Sequence, residues 1–248
     1  MFNKKLAALA VAGATLLPAA SASAVVQLGF ILDESGSIGS SNYTIIQNGL
    51  ASAMSLIPTT GQYEVSVVSF SSGASTIVNH QLISSAADAA AVAALILGDT
   101  FNGGSTDMAA AFTQMTTVLG GSTNSITSSY VNLATDGVAN SQSAATTAFL
   151  AMIAAGVDNV SIEAIGGGVD ATYLQGTICY PQACDLTSPY NFPTQGFYIP
   201  VADANGYAAA IGNKVRVVTG QVPEPGSLAL AGLALAGLAG MRRRTRQA

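Results

Sequence analysis

A nearly continuous apolar segment, VVQLGFIL at 25–32, ends abruptly in the polar sequence DESGS at 33–37. An apolar run of this length is typical of a parallel β-strand that is buried on both faces. A carboxylate and two hydroxyl groups, those of Asp33, Ser35 and Ser37, follow it at alternate positions. Because ligands of parallel sheets bind beyond the carboxyl ends of the strands, this segment predicts both a parallel α/β sheet and a polar site at its edge.

The middle of the chain alternates strand-like segments with helical ones. Further strands are predicted at 63–70, 75–83, 128–135, 159–166 and 196–201, and helices at 41–57, 85–97, 106–119, 143–156, 171–175 and 203–218. The Ser-Ser-Gly turn at 71–73 predicts an antiparallel hairpin at one edge of the sheet. The pattern predicts an α/β fold of the Rossmann-like type, with a doubly wound, mostly parallel sheet, one antiparallel edge strand and helices on both faces.

The first 24 residues differ in composition from the rest of the chain. Lys4 and Lys5 precede an apolar run, and small residues stand at Ala22 and Ala24. This order predicts a secretory signal peptide at 1–24 that is cleaved after Ala24. A membrane-spanning helix is the alternative, and Pro18 within the apolar run argues against it.

The other end of the chain, residues 220–248, combines three features in a fixed order. The motif Pro223-Glu224-Pro225 precedes an apolar stretch at 228–241, and four arginines follow. The apolar stretch is shorter than the ~20 residues that comfortably span a bilayer, so alone it predicts a weak transmembrane helix. The segment resembles the PEP-CTERM sorting signal of Gram-negative bacteria. The resemblance implies processing by an exosortase, temporary anchoring in the inner membrane, and a final location at the cell envelope, the outer surface or outside the cell.

Most basic residues lie in these two ends. Between Val25 and Gln221 only Lys214 and Arg216 remain, against twelve acidic residues, which gives this part of the chain a net charge of −10. So negative a surface repels phosphate backbones, and nucleic-acid binding is therefore not expected. The same charge is compatible with the binding of divalent cations.

Two more polar clusters fall where predicted strands or turns end. One is GGSTD at 103–107, before a helix, and the other is TDG at 135–137, after a strand. Each cluster alone is weak evidence, because an aspartate after a strand is commonly a turn or cap residue. Their occurrence with DESGS, in this order along an alternating chain, predicts that the three clusters form one site.

The patterns Asp-x-Ser-x-Ser, Gly-Gly-x-Thr and Thr-Asp-Gly together resemble the von Willebrand factor type A (VWA) domain, over about residues 25–219. The resemblance implies a metal-ion-dependent adhesion site (MIDAS). It implies that Ser35 and Ser37 bind the metal through their hydroxyl groups and that Thr106 binds it directly in the ligand-receptive state. Asp33 and Asp136 would act mostly through bound waters.

The donor types indicate which cation such a site would take. Hydroxyl, carboxylate and water oxygens suit Mg²⁺ best and tolerate Mn²⁺ or Ca²⁺. An ion held mainly by neutral oxygens keeps much of its positive charge, which favours an Asp or Glu carboxylate of a protein partner. Two neighbouring acids receive other roles: Glu34 is expected to point outward, and Asp107 is expected to cap the following helix.

The two cysteines lie close together, in CYPQAC at 179–184. In an exported chain this spacing predicts a Cys179–Cys184 disulfide that closes a small loop, since two thiolates lack the further ligands of a metal site. A redox-active pair is the alternative, and it is less favoured because catalytic pairs usually lie at a helix N-terminus.

Three functions are compatible with these features. The leading hypothesis is an exported, non-enzymatic adhesion module whose divalent cation captures an acidic group of a protein partner. The second is a structural surface or biofilm-matrix protein in which the metal stabilises the fold. A metal-dependent hydrolase is less favoured, because no histidine or cysteine is placed as a base or nucleophile. The single histidine, His80, is expected at a solvent-facing position of a strand.

Overall fold

The structure is a computed structural model that describes residues 24–221. The predicted signal peptide up to residue 23 and the predicted sorting tail from residue 222, with its Pro223-Glu224-Pro225 motif and membrane-inserting helix, lie outside the described residues. Within residues 24–221, no helix has the length and apolar character needed to cross a bilayer.

Six strands form one sheet in the order β3-β2-β1-β4-β5-β6. They are β1 (Val25–Asp33), β2 (Tyr63–Phe70), β3 (Ala74–Leu82), β4 (Ile126–Thr135), β5 (Asn159–Ile165) and β6 (Tyr198–Val201). Strand β1 pairs in parallel with both β2 and β4, and β3 pairs antiparallel with β2 at the edge of the sheet. The predicted mostly parallel sheet with one antiparallel edge strand is thus confirmed.

Helices cover both faces of the sheet, as predicted. They are α1 (Gly39–Met54), α2 (Ala86–Gly98), α3 (Met108–Gly120), α4 (Gln142–Ala154), α5 (Ala171–Tyr173) and α6 (Ala204–Val218), with a π-helical turn at Leu174–Ile178. One core contains α1, α2 and α6, and a second core on the opposite face contains α3, α4 and the π-helical turn. Strand β1 supplies both cores, because Phe30 faces the first and Ile31 the second.

Helix N-termini follow the expected capping chemistry in most cases. Ser85, Ser141 and Asp203 each accept a backbone N–H of the first turn of α2, α4 and α6, respectively. Helix α1 differs, because its cap position is Ile38 and no side chain caps it. Ile38 already has helical dihedral angles and donates its N–H to the Ser35 carbonyl oxygen, at 3.1 Å, so the first turn begins without a serine cap.

Candidate metal site

The site lies where the order of the strands reverses. The chain leaves β1 and places β2 on one side and β4 on the other, so the carboxyl ends of β1 and β4 are adjacent. Leu32 pairs with Ala134, which brings the residues that follow the two strands to the same edge. This topological switch point is the place where α/β sheets bind ligands.

The loop after β1 is organised around the carboxylate of Asp33. One oxygen, Oδ1, accepts the Ser35 backbone N–H at 2.8 Å, and the other, Oδ2, accepts the Thr135 hydroxyl at 2.6 Å. This arrangement turns the chain so that the hydroxyl oxygens of Ser35 and Ser37 lie 3.1 Å apart. The Ser37 hydroxyl donates to Oδ1 of Asp136 at 2.7 Å. Four of the five predicted ligands are therefore linked through hydrogen bonds.

Thr106, the fifth predicted ligand, reaches the same place from the loop before α3. A Cβ atom added to Gly137 would lie 3.1 Å from Thr106 Oγ1 and 3.7 Å from Ser37 Oγ, so both hydroxyl groups border the space beside this glycine. Asn140 fixes Thr106, because its side-chain oxygen accepts the Thr106 N–H at 2.9 Å and its own N–H donates to the Thr106 carbonyl at 2.9 Å.

The electrostatics of the two carboxylates differ from those of exposed aspartates. Burial raises the pKa of Asp33 to about 6, although its hydrogen bonds with Ser35 and Thr135 act in the opposite direction. Burial also raises the pKa of Asp136, against the effect of the Ser37 hydroxyl. A nearby cation stabilises the charged form of a buried carboxylate. The raised pKa values of Asp33 and Asp136 therefore indicate a site that a bound cation would stabilise.

The donor set fits a hard divalent cation. Ser35, Ser37 and Thr106 offer neutral hydroxyl oxygens, and Asp33 and Asp136 offer the two carboxylates. Throughout residues 24–221, no three carboxylate, imidazole or thiol side chains come together as a possible metal-binding group. A cation at this place would depend mostly on hydroxyl groups and water, which is compatible with Mg²⁺ chemistry.

The predictions for the two acidic residues next to predicted ligands, Asp107 and Glu34, differ in their agreement with the structure. Asp107 caps α3, since its side chain accepts the Ala110 N–H, and this prediction is confirmed. Glu34 was expected to point outward, and that prediction is wrong. Only 2% of Glu34 is exposed, and its carboxylate accepts hydrogen bonds from Asn102. Glu34 faces the segment between α2 and α3, which covers this side of the loop. No local sequence pattern predicts this contact.

His80 also differs from its predicted position. Its ring is half-buried at the sheet edge, and Nε2 contacts the carbonyl oxygen of Val118 near the end of α3. The expectation of a solvent-facing strand histidine is therefore wrong.

The cysteines behave as predicted, because Cys179 and Cys184 form a disulfide bond. Their loop lies toward the amino ends of the strands, where Tyr180 bridges to Val160, the second residue of β5.

Two residues that hold the site were not singled out from the sequence. Thr135 was visible as the first residue of the TDG cluster, yet only its neighbour Asp136 was assigned a role. Asn140 carried no signal, because a lone asparagine after a strand is an ordinary loop residue. Both act on predicted ligands, Thr135 on Asp33 and Asn140 on Thr106.

Several solved structures share this fold. The proximal thread matrix protein 1 of the mussel byssus, with a zinc-occupied MIDAS motif, aligns with a TM-score of 0.63 and 18% identity, over 79% of this chain and 48% of that one. The pilus adhesin SpaC of Lactobacillus rhamnosus GG aligns with a TM-score of 0.59 and 14% identity, over 79% and 31%. The chain thus spans less than half the length of these two proteins.

A third structure is similar over most of its own length. The manganese-loaded TRAP protein of Plasmodium vivax aligns with a TM-score of 0.51 and 24% identity, over 77% of this chain and 73% of that one. At this level of identity, all three alignments establish the fold only. No curated protein matches the chain significantly.

Family models match two parts of the sequence. The PEP-CTERM protein-sorting motif matches residues 221–244, which marks an exported protein of the cell envelope. The von Willebrand factor type A domain matches residues 27–195, which include all three polar clusters. With this match, the sheet topology and the position of the site at the carboxyl ends of β1 and β4, the chain belongs to the von Willebrand factor type A domain family.

Proposed function

We propose that this protein is an exported adhesion module that captures an acidic group of a protein partner through a divalent cation, Mg²⁺ in the first place. The observation that carries the proposal is the convergence of three hydroxyl groups, from Ser35, Ser37 and Thr106, at a site with only two carboxylates. A bound divalent cation would supply a positive charge with room for a carboxylate oxygen of the partner.

The five predicted site residues would hold such a cation in two different ways. Ser35, Ser37 and Thr106 would bind it through neutral oxygens, which leave its charge largely uncompensated. Asp136 would orient the Ser37 hydroxyl, Asp33 would hold the Ser35 backbone in place, and both carboxylates would accept hydrogen bonds from bound waters. Residues that orient the ligands of a metal in this way influence its affinity strongly.

The position of the site in the domain agrees with adhesion. The site lies at the carboxyl ends of the strands. The last described residues lie at the opposite end of the sheet, near the amino ends of the strands. There the Tyr63 hydroxyl, at the start of β2, donates to the carbonyl oxygen of Thr219, two residues before Gln221. A domain anchored through the segment after Gln221 would present its site away from the anchor.

The anchoring and processing steps follow from the sorting motif. We propose that an exosortase recognises the Pro223-Glu224-Pro225 segment while the apolar stretch at 228–241 is temporarily inserted in the inner membrane. After processing, the domain would act at the outer surface or outside the cell. The similar structures include a pilus adhesin and two metal-loaded proteins, and this similarity supports an extracellular, metal-dependent role.

We infer a binding role and no catalytic one. In the part of the chain that the structure describes, both cysteines are in the disulfide, and the His80 ring contacts the carbonyl oxygen of Val118 at the end of α3 that lies away from the site. Neither type of side chain is within the candidate site as a base or nucleophile, which metal-dependent hydrolysis generally requires.

The experiment that tests the proposal is partner capture with and without the metal. We expect pull-downs from envelope extracts to retain a partner with Mg²⁺ present and to lose it with a chelator. Ser35→Ala should abolish capture as well, because it removes one hydroxyl ligand, while the circular dichroism spectrum of the folded chain stays unchanged. Capture that persists both with chelator and in Ser35→Ala would contradict the proposal.

One observation favours a second candidate, a surface or matrix protein in which the metal stabilises the fold. Burial raises the pKa values of Asp33 and Asp136, so their charges destabilise the metal-free fold at neutral pH. A cation would relieve this cost. If this is the main role, chelation lowers the melting temperature substantially and no partner is lost.

A further inference from the structure

We infer that Glu34 is a positioning residue of the metal site. The inference rests on the proposed function, and it concerns how Thr106 is brought to the site. Glu34 lies between Asp33 and Ser35 in the sequence, but its carboxylate points to the other side of the loop. It is not one of the predicted ligands, and its contacts are with the segment that carries Thr106.

The contacts of Glu34 are few and specific. Oε2 accepts the backbone N–H of Asn102 at 2.9 Å, and the Asn102 side-chain amide donates to both carboxylate oxygens, at 3.1 and 3.2 Å. The Glu34 backbone N–H donates to the Phe70 carbonyl at 2.8 Å, which fixes the residue to the end of β2. Hydrogen bonds to a carboxylate acceptor are stronger than those between two neutral groups.

The segment held by Glu34 has little regular structure of its own. Residues 99–107 join α2 to α3, and Gly103 and Gly104 have φ angles of 65° and 108°, which few other residues adopt. A second contact joins the two loops, since the Gly36 N–H donates to the Gly104 carbonyl at 2.8 Å. The Glu34–Asn102 and Gly36–Gly104 contacts thus tie the loop of Thr106 to the loop of Ser35 and Ser37.

The consequence is a coupling between the two halves of the site. Thr106 follows Asn102 by four residues, and its hydroxyl borders the same space as Ser37. When the charge of Glu34 is removed, the loop keeps its contacts through Gly36–Gly104 and Asn140 but has one anchor fewer, so Thr106 is held less firmly beside the serines. We therefore expect metal affinity to depend on Glu34, although Glu34 is not one of the predicted ligands.

The test uses Glu34→Gln in the full chain, with Mn²⁺ binding measured by calorimetry. We expect an affinity about 10-fold lower, the lower end of the effect typical of residues that orient metal ligands. The matched control is Glu64→Gln. Glu64 is also buried, at 1% exposure, and accepts from Gln27, Ser122 and Asn124, but it is at the amino end of β2, away from the site. This variant should lose stability and keep wild-type Mn²⁺ affinity.

A second measurement does not need the metal. Hydrogen exchange in the metal-free chain should become faster at residues 102–106 in Glu34→Gln and stay unchanged there in Glu64→Gln. The inference is overturned if exchange in this segment is the same as in the wild type, or if both variants weaken Mn²⁺ binding equally. If the wild type itself binds no Mn²⁺ while exchange responds as expected, the proposed function fails, and Glu34 positions the loop without a role in metal binding.

Discussion

Replacing Lys214 by Met is expected to lower the free energy of unfolding by about 3–5 kcal/mol, because it leaves a buried charge without its partner. Lys214 Nζ lies 3.2 Å from Oε1 of Glu163, and the two side chains are 4% and 0% exposed. The ammonium group also contacts the Asn132 side-chain oxygen and lies 4.8 Å from the centre of the Phe197 ring. Urea denaturation of both proteins measures the difference.

The pKa shifts show that burial is the dominant effect on this pair. It lowers the pKa of Lys214 to about 8 and raises that of Glu163, while the attraction between the two charges opposes both shifts. Replacing both partners removes the charges together. Glu163→Gln combined with Lys214→Met should therefore be more stable than Lys214→Met alone.

Arg216 provides the matched control for this prediction. It is the other basic residue of α6, and its side chain is only partly buried. Arg216→Met should change the free energy of unfolding by less than about 1 kcal/mol, the usual range for surface charges. Equal losses in Lys214→Met and Arg216→Met would contradict the structural role of the buried pair.

Replacing Asp136 by Ala should lower the affinity for Mn²⁺ about 100-fold, the upper end of the range for residues that orient metal ligands. The Asp136 carboxylate accepts the Ser37 hydroxyl at 2.7 Å and is half-buried beside it. Without this acceptor, Ser37 loses its orientation and the site loses one of its two negative charges. Titration of Mn²⁺ by calorimetry or by electron paramagnetic resonance measures the change.

The matched control for this variant is Asp170→Ala. Asp170 follows β5 at the same edge of the sheet, and it accepts hydrogen bonds from the Tyr173 N–H and the Gln142 side chain instead of from the site. Its removal should leave Mn²⁺ affinity unchanged. Similar losses in the two variants would mean that the overall negative charge of this edge binds Mn²⁺, and that Asp136 has no specific role.

The architecture and the location of the site follow largely from local sequence patterns. The apolar run of β1 and the hairpin turn at 71–73 are local signals, and the structure agrees with both. The clusters after β1 and β4 could be placed together because parallel strands present their carboxyl ends at one edge. The elements differ from their predicted bounds by a few residues, as at α1, which begins at Gly39.

What the sequence did not reveal are contacts between segments that are distant along the chain. Glu34 was expected outside because it is an extra acid between the fixed positions of the Asp-x-Ser-x-Ser motif, and nothing local shows that Asn102 covers that side of the loop. Lys214 and Glu163 are 51 positions apart, and no sequence pattern predicts that they form an ion pair. In both cases a charged group is buried, and its compensation depends on tertiary packing.

A divalent cation at the proposed site would keep one coordination position open for a carboxylate. Pulsed electron paramagnetic resonance of Mn²⁺ on the full chain, with acetate labelled by ¹³C at its carboxyl group, measures whether a carboxylate takes that position. We expect a ¹³C coupling that shows direct coordination of the carboxylate to the bound ion, and its loss in Ser35→Ala. Mn²⁺ that binds without this coupling, or that does not bind at all, would overturn the proposed function.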